Sequence, residues 1–395
     1  MAGLYIHVPF CKSRCSYCAF FSTTDLDRRQ RYVDALCREI EERSQAGEII
    51  RGRWGDGSAD GLQTVYLGGG TPSQLTPRQL TMLFETIGRF YGLPMKRDVP
   101  AGEVTIECNP DDVTDGFTAL LSSLPVNRIS MGAQTFSDVR LRFLGRRHKP
   151  SQVPEAVHRL REAGIGNISI DLMYGFPGET MDEWKYDIDS VLALDVEHVS
   201  AYCLSYEEGT PLYRQLEQGS VEELDEELCR GMYETLIDHL EAAGFCHYEI
   251  SNFARPGFHS RHNSSYWDGT PYLGIGAAAH SYDGYARQWN PCNLDSYMEG
   301  VESGRRVFER EELDDVTRYN DRVTVALRTR NGLDLDELNP VFRSYCIGQA
   351  QRYIKSGELR VNTLLTASGH QHTLLSLTRQ GLFVSDMVMS ELMMV

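Results

Sequence analysis

Short stretches alternating apolar and polar residues recur along the chain, with helically spaced stretches between them. Residues 4–10, LYIHVPF, alternate with a period of two, the spacing of a half-buried strand. Further strand-like runs follow at 64–70 (TVYLGGG), 103–110 (EVTIECNP), 127–134 (NRISMGAQ), 167–175 (NISIDLMYG), 198–206 (HVSAYCLSY) and 247–253 (HYEISNF). Between them, residues 31–43 place Val33, Leu36 and Ile40 on one helical face. Residues 76–92 open with Thr76 as N-cap and Pro77 at the first helical position. Helical patterns also run over 138–150, 154–164, 181–194 and 221–244.

Six or seven βα units in series predict parallel strands joined by right-handed crossovers, in a barrel or a doubly wound sheet. In both, ligands sit at the C-terminal ends of the strands. The polar and glycine signals collect there: Cys11, Gly68 to Gly70, Glu107, Asn109 and Gln134. Residues 44–61 read as a glycine- and charge-rich loop. After about position 300 the βα pattern stops. Residues 312–332 predict a helix ended by Gly332, and 376–393 a short strand, a turn at Gly381 and a closing helix. The expected division is therefore a large α/β domain over 1–300 and a small, mostly helical domain over 301–395.

Composition narrows the setting. An apolar fraction of 41% is ordinary for a globular protein. No run of about 18 apolar residues predicts a membrane span, and the first ten residues lack the basic start of a signal peptide. The expected location is the cytoplasm. A net charge of −17 repels phosphate backbones and anionic headgroups. That weighs against nucleic acid as partner, although RRHK (146–149) offers a local anion site. Seven of the ten cysteines, Cys37, Cys108, Cys203, Cys229, Cys246, Cys292 and Cys346, are scattered singly and read as small apolar residues.

The other three crowd into CKSRCSYC, residues 11–18. Structural zinc takes four ligands, usually in two spaced pairs, so a zinc site here would need a distant fourth. A C-x3-C-x2-C loop instead suits three irons of a [4Fe–4S] cluster and leaves the fourth iron open.

Cys11, Cys15, Tyr17 and Cys18 resemble the radical-SAM superfamily, in which S-adenosylmethionine (SAM) chelates the open iron and is cleaved on reduction. LGGGTPS (67–73), ISMGAQTFSD (129–138), LGRRH (144–148), IDLMYGFPGET (170–180) and HNSSYW (262–267) extend the likeness along nearly the whole chain. Together they are similar to the oxygen-independent coproporphyrinogen-oxidase-like group, and within it to the HemW heme chaperones. The resemblance implies a partial (β/α)6 TIM-type barrel with a winged-helix-like C-terminal domain. It implies Cys11, Cys15 and Cys18 as cluster ligands. Around SAM it places Gly69, Gly70 and Thr71 at the methionyl group, Glu107 at the amino group and Arg146 at the carboxylate. Gln134 and Asp171 fall near the ribose, and Tyr5, Tyr17 and Tyr202 are further contacts.

Neutral histidine is a common axial ligand of heme iron. His262, in the H-N-x-x-Y-W pattern associated with heme in HemW proteins, is the expected heme residue, with His280 a weaker candidate. The expected partners are heme, an unidentified heme-acceptor protein and, if SAM is cleaved, a reductant such as flavodoxin or ferredoxin. The alternative is an anaerobic coproporphyrinogen III dehydrogenase. Those enzymes resemble C-x3-C-x2-C-x-C and carry an N-terminal extension. Here Phe20 replaces the extra cysteine and the first strand begins by about Leu4. Both features favour the chaperone.

Overall fold

The structure, a computed structural model, describes residues 2–55, 61–95, 102–365 and 371–395. Strands β1 (Ala2–Val8), β2 (Leu62–Gly69), β3 (Glu103–Cys108), β4 (Arg128–Gln134), β5 (Ile168–Tyr174) and β6 (His198–Cys203) lie side by side in chain order, all parallel. Helices α1 (Arg29–Gln45), α2 (Pro77–Tyr91), α3 (Asp115–Ser123), α4 (Asp138–Phe143), α5 (Gln152–Glu162) and α6 (Met181–Ala193) connect them. The Thr76 hydroxyl caps α2 in a reciprocal box with Gln79, and Pro77 opens the helix.

Alternation along the strands separates two faces. Leu4, Ile6, Val65, Leu67, Val104, Ile106, Ile129, Ile168, Ile170 and Val199 are fully buried, in the core shared with the helices. The intervening residues face the concave side and are polar. Register aligns Tyr5 with Tyr66, Tyr66 with Thr105, Thr105 with Arg128, and Glu107 with Ser130. It likewise aligns Asp171 with Ser200. The interior of this barrel is therefore lined by hydrogen-bonding groups.

After β6 come α7 (Pro211–Glu217) and α8 (Glu226–Ala242). Residues 247–253, expected as one strand, form a tight antiparallel hairpin of β7 (Cys246–Glu249) and β8 (Asn252–Ala254). The Glu249 carboxylate makes the corner by accepting from the Ser251 N–H and the Asn252 amide. Helix α9 (Arg261–Trp267) follows. The seventh parallel strand comes later: β9 (Tyr272–Ile275) pairs with the free edge of β1. Strands β10 (His280–Tyr282), β11 (Ala286–Trp289) and β12 (Glu309–Glu312) then extend the sheet antiparallel, with α10 (Leu294–Glu302) between the last two. The sheet ends in β12 on one side and β7 on the other, so the barrel is partial.

The C-terminal part contains α11 (Asp315–Leu327), β13 (Leu333–Asp334), α12 (Pro340–Ser356), β14 (Leu359–Leu365), β15 (Gln371–Leu377), α13 (Arg379–Leu382) and α14 (Ser385–Leu392). Its three strands form an antiparallel sheet against the helices, in a winged-helix-like order. The buried residues of one large hydrophobic cluster end at Val301, and those of a second run from Tyr319 to Leu392, with Leu382 and Phe383 packed against the first. Strand β12 lies past that point and still belongs to the large sheet.

Two helix ends differ from expectation. The 138–150 pattern stops at Phe143, because Gly145 turns left-handed (φ 74°) and sends Arg146 inward. Helix α11 stops at Leu327, where Arg328 swings to the Glu249 carboxylate (2.9 Å); Gly332 serves the following turn instead. Among the described residues no helix is long and apolar enough to cross a membrane.

Candidate functional site

The cysteine loop leaves the C-terminal end of β1. Cys11, Cys15 and Cys18 are half-buried and unpaired. Main-chain bonds pin the loop on three sides: Cys11 N–H to Thr23 O (2.9 Å), Ser16 N–H to Leu144 O (2.9 Å) and Leu212 N–H to Ser16 O (2.9 Å). Tyr17 packs on a small apolar cluster that includes Leu144, Phe176 and Leu212. The Cys11 sulfur lies 3.5 Å from the Thr71 hydroxyl. Arg146 holds a guanidinium nitrogen 3.7 Å from the Cys15 sulfur, and its other arm donates to Asn109 Oδ1 (2.6 Å) and to the Gly132 carbonyl. Burial pushes the Cys11 and Cys18 thiols above their ordinary value. Thiolates there call for a positive centre beside them.

The GGGTP loop lies against the cysteine loop. Its N–H groups already have partners: Gly69 donates to Glu107 Oε2 (3.1 Å), Gly70 to Val8 O (2.9 Å) and Thr71 to Phe10 O (2.9 Å). The glycines are required because neighbouring groups pass too closely here for a Cβ. A Cβ on Gly70 would sit 2.6 Å from the Pro9 carbonyl carbon, and one on Gly69 would meet the His7 ring at 2.3 Å. Gly70→Ala should therefore push the Pro9–Cys11 backbone outward, at a cost of about 1–3 kcal/mol. Thermal unfolding, with iron content after anaerobic reconstitution, should show both falling; unchanged values would mean the loops slide apart freely.

Further into the barrel, Glu107 accepts from the Tyr66 hydroxyl (2.7 Å) as well as from Gly69. Burial raises its carboxyl to about 7, against the Tyr66 bond, and nearby Asp171 adds to the rise. Burial likewise lifts Asp171 to about 6, against hydrogen bonds from Ser200 and Ser130. Two carboxyls of unusual basicity thus share one buried chamber, a common property of functional sites. Gln134 is buried and held in a left-handed backbone conformation (φ 68°) at the end of β4, a strained state for a residue with a Cβ. The Tyr5 hydroxyl meets His7 Nδ1 (3.0 Å). Tyr202 stands one residue before the end of β6 and is 43% exposed, at the rim of the chamber.

His262 does not join this end of the barrel. Helix α9 closes the opposite end, its first N–H groups capped by the Glu103 carboxylate at the start of β3. The imidazole expected to offer itself to heme iron is fully buried there. Its Nδ1 meets the Thr64 hydroxyl (2.8 Å), its Nε2 meets the Tyr266 hydroxyl (2.9 Å), and the ring stacks on Tyr66 at 5.1 Å. Burial lowers its pKa to about 3. Both nitrogens are used, so in this state the residue is a plug of the barrel floor.

Two residues at the site were not singled out in the sequence. Asp112 is buried and ties three loops together, accepting from Lys12 Nζ (3.1 Å), Ser73 Oγ (2.8 Å), Gln74 Nε2 (2.7 Å) and Arg147 Nη2 (3.4 Å). Tyr66 holds Glu107. The available signal was position: Tyr66 stands two residues before Gly68 on the inward face of β2, and Asp112 just past the end of β3.

Residues 5–191 match the model of the Radical SAM superfamily. "Heme chaperone HemW" of Lactococcus lactis is 35% identical over 339 residues, covering 86% of this chain and 84% of that protein. The Mycobacterium tuberculosis protein of the same name is 33% identical over 396 residues, covering 99% and 94%. Among solved structures, the coproporphyrinogen III oxidase HemN of Escherichia coli, a radical-SAM enzyme, has a TM-score of 0.79 at 20% identity. It covers 99% of this chain and 89% of that one, a likeness of fold. Fold and site define a radical-SAM protein, and this chain belongs to the HemW family.

Proposed function

We propose that the protein is a heme chaperone: it binds heme and passes it to an acceptor protein, with a [4Fe–4S] cluster and SAM as resident cofactors. The full-length likeness to relatives named heme chaperones carries this reading. Cys11, Cys15 and Cys18 would hold the cluster. The half-buried thiols stand at the mouth of a polar chamber with the Arg146 guanidinium beside one of them, and a cationic N–H donor suits a thiolate sulfur that binds cluster iron. SAM would lie across the C-terminal ends of β1–β6, in reach of Tyr5, Tyr17, Gly69, Gly70, Thr71, Glu107, Gln134, Arg146, Asp171 and Tyr202. Bound there, cluster and SAM would supply one-electron chemistry, with flavodoxin or ferredoxin as donor. The cytoplasm is the proposed location.

Phe20 stands where a dehydrogenase of this fold would carry another cysteine, and its ring is 69% exposed. That supports the chaperone over coproporphyrinogen oxidation. Anaerobic titration of the reconstituted protein with hemin tests the reading. Saturable binding near one heme per chain is expected; no binding would refute it.

SAM affinity should depend on pH through Glu107. Below about 7 the Glu107 carboxyl carries a proton in the ligand-free protein. It then offers fewer acceptor sites to the amino group of SAM. Affinity should fall as pH drops, approaching tenfold or about 1.36 kcal/mol per unit. Glu107→Gln should bind more weakly and lose the slope. Calorimetry at about pH 6 and about pH 8 reads both; a flat wild-type profile would remove Glu107 from the amino group.

A further inference from the structure

The edge strands β9, β10 and β11 carry an aromatic row on one face. Register pairs Tyr282 with Tyr272 and His280 with Trp289, so the four rings point to the same side. Tyr272 packs edge-on to Tyr266 at 4.6 Å, and Tyr266 bonds His262, which fixes that side as the concave face. The other face belongs to the helices: Ser281, between His280 and Tyr282, accepts from Arg43 of α1. The row lies beyond β1, on the part of the sheet that runs toward its edge at β12, and Asp321 of α11 pairs with Arg287 beside Tyr282.

His280 differs from the other candidate. It is exposed, and its ring nitrogens make no hydrogen bond among the described residues. Its ring lies against the Trp289 indole, centroids 5.7 Å apart at 22°. Partial burial of the ring and neighbouring Arg287 lower its pKa, so the imidazole is neutral near pH 7 with a lone pair available. Gly274 allows this arrangement, since a Cβ there would fall 2.0 Å from the His280 carbonyl oxygen. His259 is also exposed, but it stacks on Tyr248 at 4.2 Å and lies outside the aromatic row of β9–β11.

We propose that His280 is an axial ligand of heme iron, held upright by Trp289, with the porphyrin spread over the tips of Tyr282 and Tyr272. A neutral imidazole supplies the bond to iron, and the rings supply apolar cover. Glu309 and Glu311 on neighbouring β12, paired with Trp289 and Arg287, repel the propionates, which therefore point away from that edge. The inference rests on the proposed heme binding and assigns its place.

The test is an anaerobic hemin titration of the reconstituted protein, followed in the Soret region. Wild type, His280→Ala, His280→Met and His259→Ala are compared, with cluster content as the control for folding. His280→Ala should weaken binding about tenfold or more and shift the Soret band, and added imidazole should restore the band. His280→Met should bind with an altered spectrum, a thioether replacing the imidazole. His259→Ala should match wild type. If wild type binds hemin and His280→Ala does so with the same affinity and spectrum, the assignment is overturned while heme binding stands. If wild type takes up no hemin, the chaperone reading falls and the assignment with it.

Discussion

Cys15→Ala should leave the protein folded and without its iron. The loop is held by main-chain bonds from Cys11, Ser16 and Leu212, none of which needs the Cys15 side chain. The thiol is half-buried and has the Arg146 guanidinium at 3.7 Å. Removing one of three sulfurs leaves two ligands for a cluster that needs three from the protein. Anaerobic reconstitution of wild type should give about four irons per chain and a broad thiolate-to-iron band. The variant should retain neither, while its unfolding temperature stays close to that of the reconstitution-free wild type. Cys292→Ser, at an exposed thiol outside the loop, should keep the full complement. A Cys15→Ala protein with undiminished iron would sink the assignment of the trio.

His262→Ala should act on stability first. The change empties a buried ring site between Tyr66 and Tyr266 and strips the Thr64 and Tyr266 hydroxyls of a partner. Cavity and lost hydrogen bonds together should cost about 3–5 kcal/mol. The effect has a sign in pH. The folded protein holds His262 neutral down to about 3, against an ordinary value of 6.5. The unfolded chain takes up that proton as pH falls below 6.5, so the wild-type advantage shrinks with acidification. Urea unfolding at neutral pH and near pH 5 reads both the cost and the slope. A variant as stable as wild type that lost only its heme would return His262 to the role of an iron ligand.

Much of the barrel was legible in the chain. Period-two alternation at 4–10 and the strand-like run at 103–110, with Thr76 and Pro77 opening a helix, follow from local geometry and emerged as β1, β3 and α2. The glycine loop was located correctly, but not what fills it. Gly70 makes room for Pro9, a residue sixty-one positions away, and no local rule carries that contact. The hairpin at 246–254 was missed because Glu249 bends the chain with its own carboxylate, which alternation does not register. Helix α12 and the edge strands after β9 went unread, because their half-exposed faces blur both periods. The burial of His262 is a tertiary fact: a short polar helix became a plug because Glu103 waits at the floor of the barrel to cap it. The same reasoning explains why His280, a weaker candidate by sequence, is the more open imidazole.

The most direct test of the chaperone account sets its two possible outputs side by side. The reconstituted, reduced protein is supplied with SAM and given either hemin, followed by an apo-protein able to take heme up, or coproporphyrinogen III. The account predicts that hemin binds near one per chain and moves to the acceptor, while coproporphyrinogen is recovered unchanged without release of CO2. Release of CO2 from coproporphyrinogen over many turnovers would contradict it.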